Sequence, residues 1–177
     1  QIRLKAESAS DEQFERSLKG PVYEDNKAVC RFVLCALEES RMTRENQVDL
    51  WALKAKQYNW TIEHIFPQGD NIPASWVKMI ADGNAVLAEE YRQSYVHCLG
   101  NLTISGYNSA LGNKSFEEKK NRVDSQDRKV GYNNGLYLNE SLITEDSWSV
   151  EKIEARTGKL VAEVMKKYPL MVLNADA

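Results

Sequence analysis

The sequence predicts an α+β fold, mostly helical, in which two short strands are wrapped by helices. Three observations carry that reading. Apolar residues recur at helical spacing through residues 26–40 and 147–169. Two short runs rich in β-branched and aromatic residues, 59–65 and 101–105, are each followed by a breaker, Pro67 and Gly106. The chain has 177 residues and 42% hydrophobic content, enough for one ordinary domain with its own core.

The elements follow in order. Ser10 with Gln13 three residues later is a capping-box pattern, which starts a helix that runs to about Lys19 and ends at Gly20-Pro21. In 26–40 the apolar positions 28, 29, 32, 33, 36 and 37 mark a helix with one buried face. Residues 49–55 fit neither period. Residues 73–82 and 84–98 read as two helices separated by Asp82-Gly83. Asn108 to Leu111 is one helical turn ended at Gly112, and Ser115 with Glu118 is a second capping box. The polar, Gly- and Asn-rich stretch 124–141 reads as loop. Val150, Ile153, Leu160, Val161, Val164, Met165 and Tyr168 line one side of a long last helix that Pro169 closes. The expected organisation is a helical segment over 1–58, a core over 59–124, and a loop with the long helix over 125–177.

Composition excludes several classes. Charged residues make up 28% and the net charge is −3, so the chain is neither disordered by composition nor broadly basic. Binding to nucleic acid then needs a local patch, a metal or a neighbouring domain. The six cations of residues 114–129, set against four acids, leave only +2 there. Cys30, Cys35 and Cys98 are odd in number and lack C-x-x-C spacing, which argues against a disulfide framework and a zinc ribbon. Cys30 and Cys35 are expected in the core as small hydrophobes. No membrane-length apolar run and no signal-peptide pattern is present, so a cytoplasmic location is expected. The first residue is Gln1, and a fragment of a longer protein is expected.

The chemistry-bearing stretch is TIEHIFPQ, residues 61–68. Neighbours on a strand point to opposite faces, so Glu63 and His64 are not simply each other's partner. At a strand end both reach one cavity, the carboxylate suited to a hard cation and the neutral imidazole to general-base work. Asn101, Asn108 and Asn113 offer amide oxygens nearby, and an oxygen-rich set without cysteine favours Mg²⁺ or Mn²⁺. Read singly, each piece has an ordinary explanation: a surface pair or core histidine, a Gly-containing turn, a helix cap.

Together, IEHIFPQ at 62–68, HCLGNLTIS at 97–105 and N-x-x-L-x-N-x-x-F-x-x-K from Asn108 to Lys119 resemble the C-terminal nuclease domain of GmrSD-type modification-dependent restriction enzymes. Trp148, Ile153, Arg156 and Leu160 are similar to that family's last helix. Such domains belong to the HNH, or His-Me finger, superfamily and usually follow an N-terminal ParB-like NTPase domain. Two departures stand out. Asn101 and Asn108 are closer in sequence than the corresponding pair in much of the superfamily, and Glu63 stands where Asp is frequent.

The resemblance implies a ββα-metal core of two short strands and a helix, and hydrolysis of double-stranded DNA, expected to be modified. It implies His64 as the general base and Asn101 as the residue orienting its loop. Glu63 and Asn108 are the implied holders of one Mg²⁺ or Mn²⁺, with Asn113 as the alternative to Asn108. Lys119, which matches the pattern, is the expected phosphate contact, with Lys114 and Lys120 beside it. His97 is left open between a phosphate contact and packing on the second strand, and Arg156 between an ion pair and a DNA contact. The oligomeric state is left open, with the long last helix packing either within the domain or across a homodimer.

Overall fold

The computed structural model describes residues 10–169. Ser10 and Gln13 form the expected capping box ahead of α1 (Asp11–Lys19). One further turn, α2 (Val22–Asp25), follows Pro21, and α3 (Lys27–Glu39) starts at Asn26, whose side chain accepts from Val29 N–H. The buried side of α3 runs through Cys30, Val33, Leu34 and Leu37, while Ala28 and Phe32 face outward. The face is therefore rotated by about one position from the one its apolar spacing suggests. Arg31 and Glu38 are buried on the same helix and bind distant backbone groups, Arg31 donating to Trp60 O and Leu50 O and Glu38 accepting from Tyr137 N–H and Leu138 N–H.

The stretch 49–55, which fitted neither period, leads into a small antiparallel hairpin, β1 (Leu53–Lys54) and β2 (Gln57–Tyr58). Its two turn residues, Ala55 and Lys56, both have positive φ, 52° and 67°. Such turns usually carry Asn or Gly, and Ala-Lys gives no such signal. The second sheet pairs β3 (Thr61–His64) with β4 (Leu102–Ser105), antiparallel, with Glu63 opposite Thr103 and His64 opposite Leu102. Between them lie α4 (Ala74–Ala81), α5 (Ala85–Tyr95) and a 3-10 turn at Leu99–Asn101. The chain continues through α6 (Asn108–Leu111) and α7 (Phe116–Asn121), the latter opened by the Ser115–Glu118 capping box.

Residues 124–141 are not all loop. They end in α8 (Tyr137–Ile143), whose N-cap residue, Leu136, has no capping side chain. Glu38 of α3 serves instead, its two carboxylate oxygens accepting from Tyr137 N–H and Leu138 N–H. A cap supplied from 99 residues away leaves no local pattern to read. The last element is α9 (Val150–Lys167), capped by Ser149. Arg156 and Thr157 fill the gap between Ile153 and Leu160 on its buried side.

Two apolar clusters flank the β3–β4 pair. One joins α1, α3, β4 and α9 through Leu18, Leu34, Leu102, Ile104 and Val164. The other packs Phe66, Trp76, Phe116, Tyr132 and Trp148 beneath the end of β3. The described residues thus form an α+β structure, about half helical, with two small antiparallel sheets. No helix among them is long and apolar enough to cross a membrane.

Candidate active site

The C-terminal end of β3 delivers Glu63 and His64, and the chain after β4 returns Asn108 beside them. A cavity of about 110 Å³ opens there, lined by Glu63, His64, Asn108 and Asn113 together with Pro67 and Gln68. The structure therefore brings four of the residues expected from the sequence around one polar space.

Asn101 lies below, fully buried, with every hydrogen-bonding position of its amide filled. Its Oδ1 accepts from Phe66 N–H at 2.8 Å and from Trp148 Nε1–H at 3.1 Å. Its Nδ2 donates to Phe66 O and Val96 O, both at 3.0 Å. Asn101 O also accepts from Ile65 N–H at 2.9 Å. One side chain thus ties the segment leaving His64 to the turn entering β4 and to the start of α9.

The turn itself is held from α9. A Cβ on Gly100 would stand 2.0 Å from Ile153 O, so only glycine allows this approach. Gly100 N–H donates to Thr157 Oγ1, and Arg156 donates to Gly100 O, Leu102 O and Leu138 O. Arg156, open from the sequence between an ion pair and a DNA contact, is buried and bound to carbonyls.

His64 is buried, and its Nε2 lies 3.2 Å from His97 Nδ1. Tyr23 meets His64 edge-on and stacks on His97, with ring centroids 4.7 and 5.3 Å apart. Burial, then His97 and the cations Lys119 and Lys27, pull the His64 pKa down to about 3. The imidazole is neutral at pH 7, as a base must be before it acts. His97, half-buried, also has its pKa lowered, chiefly by burial.

Glu63 is paired from below. Lys119 donates to Glu63 Oε1 at 2.7 Å, to His64 O at 2.7 Å and to Ile65 O at 3.1 Å. Three acceptors occupy the three ammonium donors. Burial works against both charges, raising the Glu63 pKa and lowering that of Lys119, and each charge opposes the other's shift. The buried Tyr132 hydroxyl near Glu63 adds a weaker pull toward the charged carboxylate.

This corrects the expectation that Lys119 contacts phosphate: its side chain is 0% exposed and its donors are spent. Lys120 is partly buried. Its ammonium donates to Glu145 O at 2.7 Å and lies 3.8 Å from Asp146. Lys114 stays at the surface, 3.9 Å from Glu118. With Lys119 buried, the six cations of residues 114–129 are not all displayed at the surface. Sequence reading missed Tyr23, Lys119 in its inward role and Tyr132, which lie far from the Glu-His motif along the chain.

Oxygen donors remain. Asn108 Nδ2 donates to Thr61 Oγ1 at 3.1 Å and Ile62 O at 2.7 Å, which leaves Oδ1 uncommitted. Glu63 keeps its second carboxylate oxygen. No group of three or more His, Cys, Asp or Glu able to hold a metal occurs among the described residues. A carboxylate plus an amide beside a polar cavity suits a cation that keeps its waters.

No curated protein and no solved structure matches the chain. The model of one family does match, over residues 8–163, and it describes the C-terminal domain of GmrSD restriction endonucleases. That match spans both sheets, the cavity and most of α9, and the chain belongs to this family.

Proposed function

We propose that this chain is the nuclease part of a restriction endonuclease, an HNH-type site that hydrolyses DNA phosphodiester bonds at the cavity between β3 and α6. The observation that carries the reading is the convergence of Glu63, His64 and Asn108 on one polar space of about 110 Å³. The two strands and the helical turn after them are the protein's version of a ββα-metal core.

His64 is the general base and takes a proton from the attacking water. Glu63 and Asn108 hold one divalent cation, Mg²⁺ or Mn²⁺, through the oxygens their other contacts leave free. When bound, that ion supplies Lewis-acid stabilisation of charge at the scissile phosphate and the leaving 3′ oxygen. Asn101 fixes the loop after His64, so that the imidazole need not reorganise during reaction. The products are a 5′-phosphate and a 3′-hydroxyl. Lys119 neutralises Glu63 from behind and touches no DNA.

A domain of net charge −3 has little intrinsic grip on a polyanion. Recognition of double-stranded, modified DNA is therefore assigned to an accompanying domain, of the ParB-like NTPase type. The test is incubation of the chain with supercoiled plasmid in Mg²⁺ or Mn²⁺, in EDTA, and as His64→Ala. The expected result is metal-dependent nicking or linearisation that EDTA and the substitution both abolish. Cleavage that survives His64→Ala would remove His64 as base. A folded wild type that binds DNA without cutting it would make the domain a docking module.

A further inference from the structure

We propose that His97 is a positioning residue for His64: its Nδ1 accepts a hydrogen bond from His64 Nε2–H, which holds His64 in the tautomer whose lone pair is on Nδ1. The proposal rests on the reading of His64 as the base and adds the group that aims it.

The geometry leaves two arrangements. The rings face each other through His64 Nε2 and His97 Nδ1 at 3.2 Å, so one of these nitrogens carries the shared proton and the other accepts. If His64 carries it, His64 Nδ1 is a free base and His97 is protonated on Nε2. If His97 carries it, the basic lone pair of His64 is spent on His97, and the side chain has nothing to offer a water. Neutral histidine intrinsically favours the proton on Nε2, away from its own backbone. The first arrangement places both rings in that favoured form, and the second places both in the disfavoured one.

The surroundings hold the pair in register. Tyr23 contacts both rings, edge-on to one and nearly parallel to the other, with interplanar angles of 86° and 20°. Tyr23 N–H also donates to His97 O at 3.2 Å, so the backbone of His97 is anchored to the same residue. His64 Nδ1 has no protein partner, and His64 lines the cavity with Glu63 and Asn108. When Nδ1 takes a proton from water, the resulting imidazolium gives a stronger hydrogen bond to His97. A base oriented by a third group is a recurring solution for activating a nucleophile.

The test uses the intact chain, uniformly ¹⁵N-labelled. Its two histidines are the two members of the pair, so ring correlations are unambiguous. At neutral pH, long-range ¹H–¹⁵N spectra are expected to show both rings protonated on Nε2, with the His64 Nε2 proton slow to exchange. His97→Ala should expose that proton to rapid exchange and lower kcat for plasmid cleavage by about 10- to 100-fold with little change in KM. His97→Asn, which keeps an acceptor oxygen near the Nδ1 position, should recover most of both. His64 protonated on Nδ1 in the wild type overturns the proposal, and so does His97→Ala with unchanged proton exchange. The tautomers are read without turnover. Expected tautomers in a chain that never cuts DNA would support the pair and remove the nuclease reading instead.

Discussion

The ammonium of Lys119 lies 2.7 Å from Glu63 Oε1, and neither side chain is more than 3% exposed. A cation that local sequence places in a basic stretch is thus part of the site's foundation. Lys119→Met leaves Glu63 buried without its counter-charge and frees the carbonyls of His64 and Ile65 at the end of β3. The expected loss is about 3–5 kcal/mol of unfolding free energy, measured by urea titration. Adding Glu63→Gln should recover part of it. If Lys119 met phosphate instead, stability would hold and the salt dependence of DNA binding would weaken by about one ion.

Gly100 and Gly158 give opposite expectations for the same substitution. A Cβ at Gly100 meets Ile153 O at 2.0 Å and Thr157 Oγ1 at 2.4 Å, both fixed within α9. Gly100→Ala must part the turn from the helix and should cost about 3 kcal/mol, the upper end for overpacking. Gly158 sits in α9 with nothing within 4 Å of its Cβ position. Gly158→Ala should stabilise by about 1 kcal/mol through helix propensity alone. Thermal melts of the two variants would reverse this order only if α9 did not lie against the 3-10 turn.

What could be read from the sequence was local. Ser10–Gln13 and Ser115–Glu118 announce their helices because donor and acceptor sit three residues apart. β3 and β4 announce themselves by residue type and by their breakers. The helix α8 was hidden because its cap, Glu38, comes from another helix, and the β1–β2 hairpin because Ala55 and Lys56 adopt positive φ without being Asn or Gly. The site divides along the same line. Glu63, His64, Asn108 and Asn113 stand in motif segments and do converge on the cavity. The inward turn of Lys119 and the pairing of His64 with His97 depend on tertiary placement, to which periodicity and spacing are blind.

Acid should destabilise the metal-free chain through His64. Its folded pKa, about 3, lies below the ordinary 6.5 because burial and nearby positive charges oppose the imidazolium. Between those values the unfolded chain binds a proton that the folded chain refuses. The contribution is therefore complete above pH 6.5 and is lost as pH falls toward 3, with a slope of at most about 1.4 kcal/mol per pH unit. Urea unfolding in EDTA from pH 7 to 5 should show this slope, and His64→Gln should flatten it. An equal slope in the variant would assign the acid sensitivity to other groups.

Asn108 and Asn113 both face the cavity, but they are held differently. The Asn108 amide is anchored by two donated bonds, to Thr61 Oγ1 and Ile62 O, so its oxygen is already fixed in place. Asn113 is exposed and follows Gly112, and its amide would have to be ordered on binding a ligand. A preorganised oxygen binds with less loss of freedom, which favours Asn108 as the metal-holding residue. Asn108→Ala should lower plasmid cleavage by about 100-fold and raise the metal concentration needed for half-maximal rate, whereas Asn113→Ala should cost less than about threefold. Because Asn108 also braces β3, its variant should lose about 1–2 kcal/mol of stability. That loss leaves the chain folded, so recovery of cleavage at high Mn²⁺ would place the defect in metal binding rather than in unfolding. A larger metal shift in Asn113→Ala would transfer the role to Asn113.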